Sequence, residues 1–253
     1  MNYKQIYYPE SGIAGFSNVD GTIAFYTKVN ALISPSSTVV DIGCGRGAYA
    51  EDPIPFRRGL RIFRGRCRKV IGLDVDPRAR ENPFLDEFCI IEGERWAVET
   101  DSADICIVDN VLEHVEDPGS FFSECRRVLK PGGFVCIRTP NVFSYFGLIS
   151  RLVPGQKRLA VLEKAKDRVK EQDVFPVFYN CNTIPKIKST LQKYEFVPYI
   201  YGYDAEPSYL SFSRLFYYLG VLHQRFAPGL IKVGIHAFGR QQPGYFDASS
   251  SSR

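Results

Sequence analysis

Residues 39–48 read VVDIGCGRGA, an apolar run with an acid at Asp41 and glycines at Gly43, Gly45 and Gly47. The run has the composition of a buried β-strand. The glycines supply the positive φ, or the close backbone approach, that a ligand-binding turn needs. The pattern predicts a strand that stops at a small-molecule cleft, with the next helix starting beneath the ligand. A second apolar run, VIGLD, closes on Asp74. A carboxylate there suits two adjacent hydroxyl donors, such as those of a ribose. Gly43, Gly45 and Ala48 also satisfy the looser G-x-G-x-x-G/A fingerprint, so a NAD-dependent oxidoreductase is one reading of the loop. His114 is the one histidine near the predicted cleft, since His223 and His236 belong to the C-terminal region. Its ordinary pKa suits removal of a proton from an acceptor hydroxyl. Glu113 beside it suggests a metal only superficially. Adjacent helical residues point apart and no third ligand is evident, so no metal is expected.

The elements that must position these residues alternate. Strands are expected at 38–42, 69–74, 88–91, 104–109 and 133–139, with helix-like segments between them, which is the signature of a parallel sheet with helices on both faces. A helix is expected from Ile23 to Ile33. Another starts near Pro118, with Phe121, Phe122, Cys125, Val128 and Leu129 at helical spacing, and is stopped by Pro131, Gly132 and Gly133. The basic, proline-punctuated stretch EDPIPFRRGLRIFRGRCRK reads as a loop plus one solvated helix face, with a phosphate-contacting surface as the sharper alternative. Beyond the fifth strand come an apolar segment (141–155), a charged helix (156–172), the DVFPVFYNCNT segment (173–183) and a helix over 183–194. The final strands are expected at 196–203 and 230–239. An aromatic helix over 209–226 separates them; it reads as core packing, with weak interfacial membrane contact as the alternative.

The 253 residues suit one α/β domain. A net charge of +4 demands no nucleic acid partner. Seven scattered cysteines without a C-x-x-C pair suggest neither zinc nor a redox dithiol, and point to a reducing compartment. No signal region or long apolar span is visible, so a cytoplasmic location is expected. The closing ASSSSR reads as a disordered tail.

Four segments in order, VVDIGCGRG, VIGLDVDP, DICIVDNVLEHVEDP and LKPGGFVCIRTPN, resemble the signature segments of class I S-adenosylmethionine-dependent methyltransferases. Dinucleotide enzymes do not carry the EHV-x-DP plus LKPGG pair. The likeness is to the broad type 11 family and, through NPFLDEF and DVFPVFYNCNT, to bacterial members encoded with polysaccharide or glycolipid assembly genes. It implies a doubly wound, mostly parallel seven-stranded sheet with an antiparallel last strand. One domain over 1–245 is expected, with its donor-binding half at about 35–140, lid and acceptor insertions at about 141–195 and 204–229, and the tail at 246–253. The implied cofactor is S-adenosyl-L-methionine. Asp41 would anchor the glycine loop and reach toward the donor's amino group, directly or through water. Asp74 would accept the ribose hydroxyls, Val75 would pack on the adenine, and Asp109 would face the methyl or amino end. Glu94 stands where members carry an aspartate that contacts the adenine amino group. Tyr179, Asn180, Asn141 and Tyr145 are candidate acceptor contacts. The implied activity is methyl transfer to a small-molecule or sugar/glycolipid hydroxyl, with a non-catalytic donor-binding scaffold as a further alternative.

Overall fold

The computed structural model describes residues 3–145 and 175–242. Its strands are β1 (Thr38–Ile42), β2 (Lys69–Asp74), β3 (Glu87–Ile90), β4 (Ala103–Asp109), β5 (Leu129–Pro140), β6 (Phe196–Tyr203) and β7 (Gly234–Gln241). Its helices are α1 (Tyr3–Tyr7), α2 (Ser11–Ala14), α3 (Gly21–Leu32), α4 (Pro55–Arg61), α5 (Pro118–Val128), α6 (Ile184–Lys193) and α7 (Arg214–Phe226). The strands form one seven-stranded sheet in the order β3-β2-β1-β4-β5-β7-β6. β1 to β5 are parallel, and β7 inserts antiparallel between β5 and β6. The fold expected from the resemblance is therefore the one observed.

Alternation along each strand sorts the core into two layers. Val40, Ile42, Cys106, Val108 and Ile137 pack with Phe122 and Cys125 of α5 and with Ile187 and Leu191 of α6. Val39, Ile105, Ile107 and Cys136 pack on the opposite face with Phe25, Tyr26 and Val29 of α3. The same period puts Asp41, two residues after Val39, on the α3 face. Asp109, two after Ile107, shares that face with Arg138, its direct neighbour across β5. Asp109 thus meets Arg138 for reasons of pleat and register alone.

Several boundaries depart from expectation. No long helix starts beneath the glycine loop. A 3-10 turn, Ala48–Glu51, follows Gly47, and α4 is seven residues long. Pro53 and Pro55 account for this, since proline lacks the N–H a helix interior needs and disfavours helical geometry in the residue before it. α5 ends at Val128, and the Pro-Gly-Gly motif lies inside β5 instead of stopping the helix. Gly132 there has φ +84° and the β4–β5 register shifts nearby. The aromatic 209–226 segment is a 3-10 turn (Ser208–Leu210) followed by α7, and the last strand starts at Gly234 because Gly229–Ile231 forms another 3-10 turn. The charged 156–172 helix, most of the 141–155 segment and the 246–253 tail lie outside the described residues.

Candidate active site

The carboxyl ends of β1, β2 and β4 open into a cleft of ≈ 1070 Å³. That is at the large end for a small-molecule site, which typically occupies about 300–1,000 Å³. Gly43, Gly45 and Gly47 line it at φ +67°, +53° and +76°. A Cβ on Gly43 would collide with Val111, and one on Gly47 would stand 2.8 Å from Asn82 Oδ1. These positions need glycine both for conformation and for space.

The loop is tied down on all sides. Gly43 and Cys44 N–H groups donate to Leu73 O at 2.7 and 3.2 Å. Gly45 N–H donates to Asp74 Oδ2 at 2.9 Å, and Asp76 N–H donates to Oδ1 at 2.9 Å. Asp74 is buried, yet each oxygen keeps a lone pair for a ligand, because it has received one backbone donor. Asn82 Nδ2 donates to both Cys44 O and Gly45 O at 3.1 Å. Sequence reading passed over Asn82, although it lies in the NPFLDEF segment. An asparagine before a proline reads as turn chemistry, and only the fold brings it under the glycine loop. Val75 is 57% exposed and faces the cleft, where Ile91, Gly93, Glu94, Trp96, Val111 and Phe121 continue the wall.

At the β1 end the site is ionic. Asp109 is buried and fully engaged: Arg138 donates to its two oxygens at 2.6 and 2.7 Å, Tyr26 at 2.8 Å and Asn110 at 2.9 Å. It stands behind the cleft wall and not among the lining residues. Arg138, Arg61, and hydrogen bonds including that from Tyr26 outweigh its burial and hold its carboxyl below the usual range. Asp41 is not among the lining residues either, but no described residue donates a hydrogen bond to it. Burial raises its pKa to about 7; Arg61 opposes the shift, and Asp109 and Asp74 add to it. Arg61 is the cleft residue beside these acids. Its guanidinium lies 4.6 Å over the Tyr49 ring and 3.6 Å from Asp109, while its buried Nε has no partner among the described residues. Tyr49 stacks on Phe84 at 5.1 Å. Nothing in the local sequence singles out Arg61 from the other arginines of its basic stretch.

His114 lines the opposite wall, at the end of the 3-10 turn Leu112–His114. Its Nδ1 is 2.7 Å from Pro176 O, and its ring meets Phe175 edge-on at 6.1 Å. A carbonyl only accepts, so Nδ1 carries a proton, and the neutral tautomer with that contact has a bare Nε2. Glu113 points away into the core, where Thr139 donates to it at 3.0 Å, and burial raises its pKa. The two neighbours diverge as expected. The expected acceptor contacts are placed otherwise. Tyr179 N–H donates to Glu113 O at 3.2 Å and Asn180 Nδ2 to Glu116 O at 2.7 Å, sewing residues 175–182 to the wall that carries His114. Asn141 Nδ2 donates to Leu230 O and Lys232 O, and the Tyr145 hydroxyl pairs with that of Tyr209. None of these four lines the cleft.

Residues 40–137 match the family model described as a methyltransferase domain. That segment is similar to a methyltransferase domain. The chain is 36% identical over 115 residues to a probable S-adenosylmethionine-dependent methyltransferase of Mycolicibacterium smegmatis, covering 42% of this chain and 39% of that protein. It is 32% identical over 111 residues to a ubiquinone biosynthesis O-methyltransferase of Cereibacter sphaeroides, covering 41% of each. The alignments thus span about two-fifths of the length of these relatives. Among solved structures, the geranyl diphosphate C-methyltransferase of Streptomyces coelicolor superposes with TM-score 0.52 at 16% identity, covering 87% of this chain and 79% of that one. The YcgJ protein of Bacillus subtilis gives 0.52 at 14% identity, covering 88% and 99%. The matched segment holds the glycine loop and the β2 acid, while β7 lies beyond it.

Proposed function

We propose that this chain transfers the methyl group of S-adenosylmethionine to a hydroxyl of a small acceptor, a sugar or glycolipid in particular. The reading rests on one observation above all: Asp74, buried at the tip of β2, holds one backbone N–H on each oxygen and keeps a lone pair on each for vicinal hydroxyls. Val75 offers an apolar face for the adenine and Glu94 an acceptor for its amino group. Arg61, which lines the cleft, would take the methionyl carboxylate, and Asp41 the ammonium, directly or through a water. These residues fit the donor's charges one for one. A dinucleotide fits less well, because its pyrophosphate needs a helix N-terminus after the glycines, and a 3-10 turn stands there.

The bound donor supplies an activated methyl electrophile. The protein's share is to align the acceptor oxygen with it, exclude water and remove a proton. His114 would take the last step, with Nδ1 held by Pro176 O and Nε2 accepting the hydroxyl proton. The O-methyltransferase among the relatives supports oxygen as the nucleophile, and the NPFLDEF and DVFPVFYNCNT segments support a role in polysaccharide or glycolipid synthesis. Free thiols at all seven cysteines are consistent with work in the cytoplasm. Calorimetric titration with S-adenosylmethionine and S-adenosylhomocysteine tests the donor, and labelled methyl transfer across a panel of sugars, glycolipids and phenols tests the acceptor. Absence of measurable affinity for either nucleoside overturns the reading. Replacing His114 with Asn should leave donor affinity unchanged and lower kcat about 10²–10⁴-fold, the usual contribution of a general base.

A further inference from the structure

α7 carries apolar side chains on two sides, where a helix packed on a domain needs them on one. Tyr217, Gly220 and Val221 face inward, with Tyr217 against Tyr3 and Tyr7 of α1 at 5.9 and 5.7 Å. On the outer side Leu215, Phe216, Leu219 and Phe226 are exposed, and Phe212 precedes them one turn before the helix. Phe212 and Phe226 are 74% and 78% exposed. Leu215, Phe216, Leu219 and Phe226 share one stripe of α7, and Phe212 joins it through a ring contact with Phe216 at 5.6 Å. Leu230 and Ile231 extend the apolar surface into the next turn.

Charge around the stripe is one-sided. From Pro207 to Gln242 the chain holds no Asp or Glu, while Arg214 and Arg225 stand exposed at the two ends of α7 and Lys232 follows. The nearest upstream acids are turned inward. Asp204 accepts the Val233 N–H and pairs with His223 Nδ1 at 3.0 Å; Glu206 pairs with Lys4 at 2.6 Å and accepts from Ser17. At thirteen residues α7 is about 20 Å long, and among the described residues no helix is long and apolar enough to cross a membrane. A bilayer therefore meets this helix lengthwise. β6 runs in the direction of β1 and β4, so α7, which follows β6, lies on the sheet edge at which the cleft opens.

We propose that α7 is a membrane-surface helix whose Phe212–Leu215–Phe216–Leu219–Phe226 stripe enters the headgroup layer of an anionic bilayer, with Arg214 and Arg225 on the lipid phosphates. An aromatic and aliphatic stripe with cations at both ends and no acid is the composition of an in-plane amphipathic helix. It offers few of the polar side chains with which a protein partner sets register. The inference does not depend on the methyl-transfer reading.

The test is co-sedimentation of the full chain with vesicles of phosphatidylglycerol and phosphatidylcholine, against vesicles of phosphatidylcholine alone. The expected result is binding to the mixed vesicles, weakened by salt, and loss of at least about tenfold in the partition coefficient for the Phe216→Glu/Leu219→Glu double variant. Arg214→Glu should cost about fivefold or more, the worth of one basic residue at an anionic surface. Thermal melting and donor titration of the same variants should match the unsubstituted protein. Failure of the chain to bind mixed vesicles, or equal binding by the double variant, overturns the proposal. So does a large fall in melting temperature or the loss of a dimer on substitution, either of which would show the stripe covered by residues 146–174 or by a second copy.

Discussion

Asp74 is buried and accepts one backbone N–H on each oxygen, which leaves both oxygens with capacity to spare at the cleft. Replacing it with Ala removes a charged acceptor and frees the Gly45 N–H. Donor affinity should fall by about 1–3 kcal/mol, measured by calorimetry, with the fold retained by circular dichroism. Asp41 makes a pH prediction. Its folded pKa of about 7 lies above the unfolded value near ~3.9, so the folded chain binds the extra proton between them and its stability declines as pH rises through that window. An ammonium ligand needs the ionised form. Donor affinity should therefore rise with pH and level off above 7, falling about tenfold per unit below it. Asp41→Asn should flatten that profile and raise the melting temperature of the donor-free protein at pH 8. Arg61→Ala should weaken S-adenosylhomocysteine but leave 5′-methylthioadenosine, which has no amino acid end, unaffected.

At the scale of elements, the loop after β1 is shaped by what lies after β2. Gly43, Gly45 and Gly47 can adopt their positive φ in isolation, but Asn82 fixes which conformation they hold by donating to Cys44 O and Gly45 O. Asn82→Ala strips two carbonyls of their donor and opens space beside Gly47. The expected outcome is a loss of about tenfold in donor affinity, with fast amide exchange at Gly45 to Gly47 in the donor-free protein. This is a positioning role, so S-adenosylhomocysteine at saturation should restore the protection. The glycines and both strand-end acids were legible from spacing alone. Asn82, Arg61 and Tyr49 were not, because each reaches the site from a turn or short helix whose course depends on Pro53, Pro55 and the packing of Phe84 on Tyr49.

Over the whole molecule, a buried charge group joins sheet and helices beneath the cleft. Arg138 of β5 grips Asp109 of β4, Tyr26 of α3 donates to the same carboxylate, and Arg138 also donates to Thr22 at 2.8 Å. Arg138→Met leaves Asp109 buried without its partner. It should destabilise the fold by about 3–5 kcal/mol in urea titration, and adding Asp109→Asn should recover most of that loss. The expectation that Asp109 faces the donor gave no weight to this arginine, which stands on a strand far along the chain. Likewise the sequence of α7 reads as core packing, with the interface only as an alternative, since its two apolar sides separate only once the fold takes up one of them.

What the chain's order of residues decided alone was local. Apolar runs set the strands, 38–42, 69–74 and 196–203 to the residue, and glycine and aspartate at their ends marked a cleft, because period and turn chemistry depend on near neighbours. Tertiary structure decided charge and access. Whether a carboxylate is paired, as Asp109 is, or has no hydrogen-bond donor among the described residues, as Asp41 has none, depends on which arginine the folded sheet brings within a few ångströms, and Coulomb interactions follow distance in space rather than along the chain.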